Sequence, residues 1–268
     1  MAKIIFADVS IHKTYFKLRL MTMIALVAMP LLIALVGKLL GYALQDSLSD
    51  YYFVIKDGGL PRVLFVIFLA FLGGVLIAYY GLDKIDNLIH NFAGVFAFSV
   101  AIFPMKCVIA EHPFCEPGLL PTFHGWSAGL LYLSATCSVL YGGGPNLKNN
   151  LDNLPDPARW KKKLFSIQVF SIILMLIGIL TFFLHQKFRM IFPSFSWIFW
   201  IEYLGFLGFG IYWFRLMLLI VHANEVGSGQ LIITNARGVG KCFYMASSMF
   251  RGRGQPALPI NPQWTPIP

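Results

Sequence analysis

From Leu20 to Val36 the chain carries no charged residue, and several later stretches are as apolar. A run of this kind and length is what a helix needs to cross a bilayer, where about 20 predominantly apolar residues cover the hydrocarbon. Composition agrees: 57% of the 268 residues are hydrophobic, 12% are charged and the mean hydropathy is +0.70. Soluble domains carry roughly twice that share of charge. The chain therefore reads as an all-α polytopic membrane protein.

The N-terminal segment "MAKIIFADVSIHKTYFKLRL" is basic and leads into the first run. A signal peptide has a shorter core and a small-residue cleavage site. Here Gly37-Lys38-Leu39-Leu40 continues the helix, so an uncleaved first span is expected. Five spans are plain, at 20–42, 63–82, 124–143, 165–185 and 197–221. The run 92–105 is short, and charge decides its status. With six spans and both termini cytoplasmic, the opposite side keeps only Lys38, Lys56, Arg62, Lys106, Lys187 and Arg189 of the 21 Lys and Arg residues. This is the distribution the positive-inside rule requires. Omitting the third span would put "RWKKK" outside. The short span gains length from "DKIDNLIHN", where Asp86 and His90 share a helix face at i, i+4. Gly94, Ala97 and Ala101 form a small-residue stripe suited to close helix packing.

Three regions follow: a basic cytoplasmic N-terminus (1–19), a six-helix transmembrane domain (20–222) and a cytoplasmic Gly/Pro-rich tail (223–268). The loop 144–164 is turn-rich and ends in a basic cluster with Trp160, as suits a cytoplasmic interface. The tail composition predicts no regular structure unless it docks on a partner membrane protein. "ARGVGK" lacks the phosphate-loop spacing. The net charge of +9 belongs to the topology and calls for no nucleic-acid partner.

This topology gathers scattered polar residues at the exoplasmic face. Ser47, Ser49 and Asp50 follow span one, Arg62 opens span two, His124 opens span four, and Glu202 lies about one turn into span six. A carboxylate within "SWIFWIEYLGFLGFG" is expensive against lipid and should face the bundle with a partner; Arg62 and His124 are the candidates at that depth. A protonated, hydrogen-bonded Glu202 and a functional acid both remain open, as do a helix-capping and a catalytic His124. The segment "SLSDYYFVIKDGGLPR" is long enough to lie back over the bundle mouth as a lid, with Tyr51 and Tyr52 at the interface. Cys107 and Cys115 close a short loop that an oxidising compartment would staple as a disulfide. The alternative, a zinc site with His112 and His124, fits no standard spacing. Cys137 reads as a packing residue and Cys242 as a cytoplasmic thiol.

"SLSDYY", the basic residue opening span two, "NFAG" leading to "VAIFP", His124 to Ala128 as H-x-x-x-A, and "IEYLGFLGFGIYW" follow one another in order over roughly 20–222. Together they resemble the DRAM/Frag/Sfk-like superfamily of six-span membrane proteins, and a set of bacterial six-span proteins of similar layout. The resemblance implies a role with membrane lipid and carries over Ser49, Asp50, Arg62, Asn91, His124 and Glu202. The charged cytoplasmic loop and long Pro-rich tail depart from the eukaryotic members, so a lysosomal or GPI-anchor role does not transfer.

The expected function is a non-enzymatic lipid-binding or membrane-organising protein with ligand contacts from Ser47, Ser49, Asp50, Arg62, His124 and Glu202, and no cofactor or metal. An intramembrane lipid-modifying enzyme using His124 with Glu202 or Asp50 is the first alternative. An accessory subunit of a membrane complex is the second. A transporter is disfavoured by the lack of a repeat and of mid-membrane charge. The location is the inner membrane of a bacterium, or an endomembrane or plasma membrane of a eukaryote.

Overall fold

A computed structural model describes residues 2–105, 119–191 and 196–226. The described residues form seven α-helices and no strand: α1 (Ala2–Leu39), α2 (Leu60–Ala78), α3 (Lys84–Ile102), α4 (Leu120–Tyr141), α5 (Gly144–Asp152), α6 (Pro157–Ile191) and α7 (Trp197–Val226). Five are long and apolar enough to cross a membrane: α1 from Lys17, α2, α3, α6 to Leu180, and α7 to Ile220. The short third run is among them, because Asp83 caps α3. Its carboxylate accepts from the Ile85 and Asp86 amides at 3.0 and 2.9 Å and so starts the helix at Lys84, ahead of the apolar run from Phe92.

Helix α4 is not among the five. It is 22 residues long, but Pro121, Thr122, His124, Gly125, Trp126 and Ser127 lower the hydropathy of its first half. The loop 144–164, read as turns, contains a helix. Pro145 sits in the first turn of α5, where its missing N–H costs nothing, and Leu147 and Leu151 bury themselves at i, i+4. Helix α1 runs unbroken through Arg19 and Leu20.

The six long helices form a ring in the order α1, α2, α3, α4, α6, α7. Neighbours pack closely except at one seam, where α4 meets α6 and α7 only sparingly. Close approaches fall where side chains are absent. A Cβ on Gly94 would meet the Gly73 carbonyl oxygen at 2.7 Å, so α2 and α3 touch backbone to backbone, with Ala97 and Ala101 continuing the buried stripe. Gly208 plays the same part between α7 and α6, its Cβ position 3.0 Å from the Ser171 carbonyl.

Beyond α1 the chain folds back as a 3₁₀ turn, Leu48–Phe53. It is tied to α7 by Phe199 N–H to the Asp46 carbonyl (2.7 Å) and by the Ser196 hydroxyl to the Leu44 carbonyl (3.2 Å). Tyr51 is not an interfacial residue. It is fully buried, with its ring 2.8 Å from where Gly37 would carry a Cβ, while Tyr52 is half-buried. We call this the cap end of the bundle.

Candidate functional site

Ser47 begins the cap. It is the N-cap of the 3₁₀ turn, and its oxygen accepts from the Ser49 amide at 3.0 Å while the Asp50 carboxylate accepts from the Ser47 amide at 2.9 Å. This reciprocal capping box fixes the turn. It leaves the Ser47 hydroxyl proton free to point at α7, where it donates to Glu202 at 2.8 Å. The Leu48 amide donates to the same carboxylate at 2.6 Å. Glu202 is thus held by one hydroxyl and one backbone amide. The expected partners, Arg62 and His124, are not the groups that bond it.

His124, 5% exposed, joins from α4. Its Nδ1 lies 2.7 Å from the Phe103 carbonyl, which can only accept, so Nδ1 carries the proton. In the neutral ring Nε2 is then an acceptor, and the Ser49 hydroxyl, 3.2 Å away, donates to it. The chain of bonds runs from Phe103 through His124, Ser49 and Ser47 to Glu202. Burial pushes the Asp50 carboxyl above its ordinary value; the Ser47 amide opposes this and the nearby Asp46 charge adds to it. Asp50 serves the cap of the turn. Arg62 lies apart: its guanidinium stacks 4.4 Å over the Tyr52 ring and donates to the Tyr52 hydroxyl at 3.2 Å.

Below Glu202 and Ser49 the centre of the ring is hollow. The hollow offers about 100 Å³ of free space and opens at its mouth. Every long helix contributes to its wall, and of the lining residues only Ser49, Tyr132 and Glu202 are polar. The cluster is therefore the hydrophilic end of a hydrocarbon-lined space.

A second polar cluster fills the opposite end of the bundle, and sequence reasoning did not find it. Arg19, 3% exposed, donates to the Tyr79 hydroxyl and lies 4.8 and 5.1 Å from the ring centres of Tyr79 and Trp213. Tyr79 donates to Asp86 at 3.4 Å, and the Leu82 amide donates to the same oxygen at 2.9 Å. His90 Nδ1 is 2.7 Å from the Asp86 carbonyl and 3.4 Å from its carboxylate; its Nε2 is 3.0 Å from the Ser138 hydroxyl. The rings of Tyr79 and Trp213 pack edge-on against His90 at 4.6 and 5.0 Å. The one visible signal was the Asp86/His90 pair, which read as a helix start. Arg19 was indistinguishable from the basic residues that set topology.

Asn91 sits beside this cluster, its Oδ1 buried without a hydrogen-bond partner among the described residues. Among the described residues no group of three His, Cys, Asp or Glu side chains could hold a metal ion. Cys107, His112, Cys115, Cys242 and the tail from 227 lie outside the described residues. Comparison with protein-family models, with curated proteins and with solved structures gives no match.

Proposed function

We propose that the chain is a six-span membrane protein, both termini cytoplasmic, that holds a membrane lipid with its polar end at the cap. The reading rests on one observation: Ser49 and Glu202 open onto a cavity whose remaining wall is almost entirely apolar. An amphipath matches that gradient, and a hydrophilic solute does not. Helix α4 serves as the sixth span in this reading. Its 22 residues extend about 33 Å, the thickness of a hydrocarbon core, and in its polar first half His124 and Ser127 are buried in the bundle at the cap. The distribution of Lys and Arg supports the orientation, and the resemblance to the DRAM/Frag/Sfk-like superfamily also points to membrane lipid.

The test is native mass spectrometry of the detergent-purified protein. Wild type is expected to retain lipid, and a Ser49→Ala, Glu202→Ala double variant that still folds is expected to lose it. Equal retention by the two proteins would sink the reading.

A second reading, an enzyme acting on lipid esters, is favoured by the Ser49–His124 distance of 3.2 Å. A hydroxyl bonded to an imidazole that a third group orients is the arrangement of an activated nucleophile. His124 would be the base and Glu202 the acid. Labelling of Ser49 by a fluorophosphonate, lost in His124→Ala, would favour catalysis. Lipid-loaded protein that takes no label would leave binding as the function.

A further inference from the structure

We infer that the central cavity takes one linear hydrocarbon chain, admitted sideways from the bilayer through the seam between α4 and the α6–α7 pair. The inference rests on the lipid-binding reading and adds to it which part of the lipid is bound, where, and by what route.

Depth is the first argument. The wall on α2 is made by Phe65, Leu69, Leu72 and Leu76, one face of the helix at successive turns. From the first to the last is about 16 Å along the axis, close to the ~15 Å of hydrocarbon in one leaflet. The far end is a stop: Leu76 and Phe209 line the bottom, and Phe209 packs against Trp213 (5.4 Å between centres), which closes over His90 and Arg19. A chain anchored at Ser49 and Glu202 therefore has one leaflet's depth to fill and no exit.

Width is the second. The hollow is bordered by Ala93, Ala128, Ala135 and Gly205, where larger residues would close it. With about 100 Å³ of free space spread over a lining from all six long helices, the hollow suits a narrow occupant. A flexible chain is such an occupant.

The seam supplies the route. On α4, the lining residues Ala128, Leu131, Tyr132 and Ala135 are only partly buried, while those of α2 are fully buried. The link across the seam near its middle is Tyr132, whose hydroxyl donates to the Met175 carbonyl of α6 at 2.6 Å. Its ring lies in a notch that glycine alone permits, since a Cβ on Gly205 would stand 2.5 Å from it. Tyr132 is the bolt of this seam, flanked at the surface by Leu130, Leu133, Ile173 and Ile177, while Gln168 of α6 ties the far end to the Val139 and Leu140 carbonyls of α4.

The experiment uses the full-length protein in liposomes of phosphatidylcholine containing a fatty acid with a diazirine near its methyl end. Irradiation is expected to label the bottom of the cavity, at Leu72, Leu76 or Ala93, and unlabelled fatty acid should compete that label away. Ala135→Trp, which fills the hollow, should abolish the internal label while leaving labelling of lipid-facing positions on α4 and α6 intact. Tyr132→Phe, which removes only the bolt's hydrogen bond, should speed its appearance. Labelling confined to lipid-facing positions, in protein that still retains lipid dependent on Ser49 and Glu202, overturns the inference and spares the lipid-binding reading. Absence of both the internal label and Ser49/Glu202-dependent retention overturns both. An internal label that persists in Ala135→Trp also overturns the inference.

Discussion

The two ends of the bundle solve the problem of a charged side chain among apolar helices in opposite ways. At the opposite end, Arg19, Asp86 and His90 are wrapped by Tyr79, Trp213 and Ser138 until each is about 3% exposed or less. At the cap end, the Glu202 carboxyl, ionised or protonated, is bonded by the Ser47 hydroxyl and the Leu48 amide and lines a hollow. Charge that is fully enclosed contributes to one fixed packing arrangement. Charge that lines free space is available to something outside the protein. The first cluster reads as a bracket and the second as a binding edge.

That contrast can be broken most decisively at Arg19. Arg19→Met removes the donor to the Tyr79 hydroxyl and the cation stacked on Tyr79 and Trp213 in an enclosed site, a loss of about 2–3 kcal/mol. Thermal unfolding in detergent should show it, and a variant as stable as wild type would mean the network is no bracket. Glu202→Ala should do the reverse. It leaves the Ser47 hydroxyl and Leu48 amide unmatched beside a cavity that water can reach from its mouth, a loss of about 1–3 kcal/mol at most. Lipid retention should nevertheless fall far below wild type.

Smaller effects sharpen the comparison. Tyr132→Phe should cost about 1 kcal/mol, the net worth of one hydrogen bond, and leave lipid retention at equilibrium close to wild type. Asp50 gives a pH signature confined to the cap. Its carboxyl is raised above the ordinary 3.8 by burial first, so the folded protein holds its proton to higher pH than the unfolded chain. The stability this contributes is full below the ordinary value and is lost as pH rises through the raised one. Asp50→Asn should flatten unfolding midpoints across that window. Arg62→Ala should have the smallest effect, within about 1 kcal/mol, because it removes a stacked contact with Tyr52 at a partly exposed site. A larger drop in lipid retention would show that Arg62 reaches the headgroup.

How far such a molecule is legible depends on which question is put to the residues. Helix α3 could be read because Asp86 and His90 share a helix face in "DKIDNLIHN" and the charge count favours a span there. The helix is long and apolar enough to cross a membrane; Asp83 as its cap was not seen. The gathering of Ser47, Ser49, His124 and Glu202 was legible as a matter of depth: each lies at a predictable distance from the same surface. Their bonding was not, since it depends on the 3₁₀ turn tucking Ser47 under α7, and nothing in "SLSDYY" specifies that rotation. The network at the other end was hidden for a related reason. In a bilayer the lipid-facing and core-facing sides of α1 and α7 are both largely apolar, so periodicity does not reveal which face is buried. Ser138 looks like Ser134 in the sequence. In the structure Ser138 bonds His90, whereas Ser134 returns its proton to the Leu130 carbonyl of its own helix. Helix α4 shows the converse. His124, Ser127 and Ser138 lower its hydropathy, and all three are buried against other helices rather than facing lipid.

The closed floor beneath the cavity also bears on the membrane's electrical life. A hollow that begins at one surface but ends on Leu76, Phe209 and a sealed ring of aromatic side chains is a cul-de-sac. Ions would have to part Trp213 from His90 and Arg19 to pass. In the lipid-binding reading such a floor makes the hollow a pocket and not a pore, so it holds apart a potential in which each elementary charge moved is worth about 2.3 kcal/mol per 100 mV.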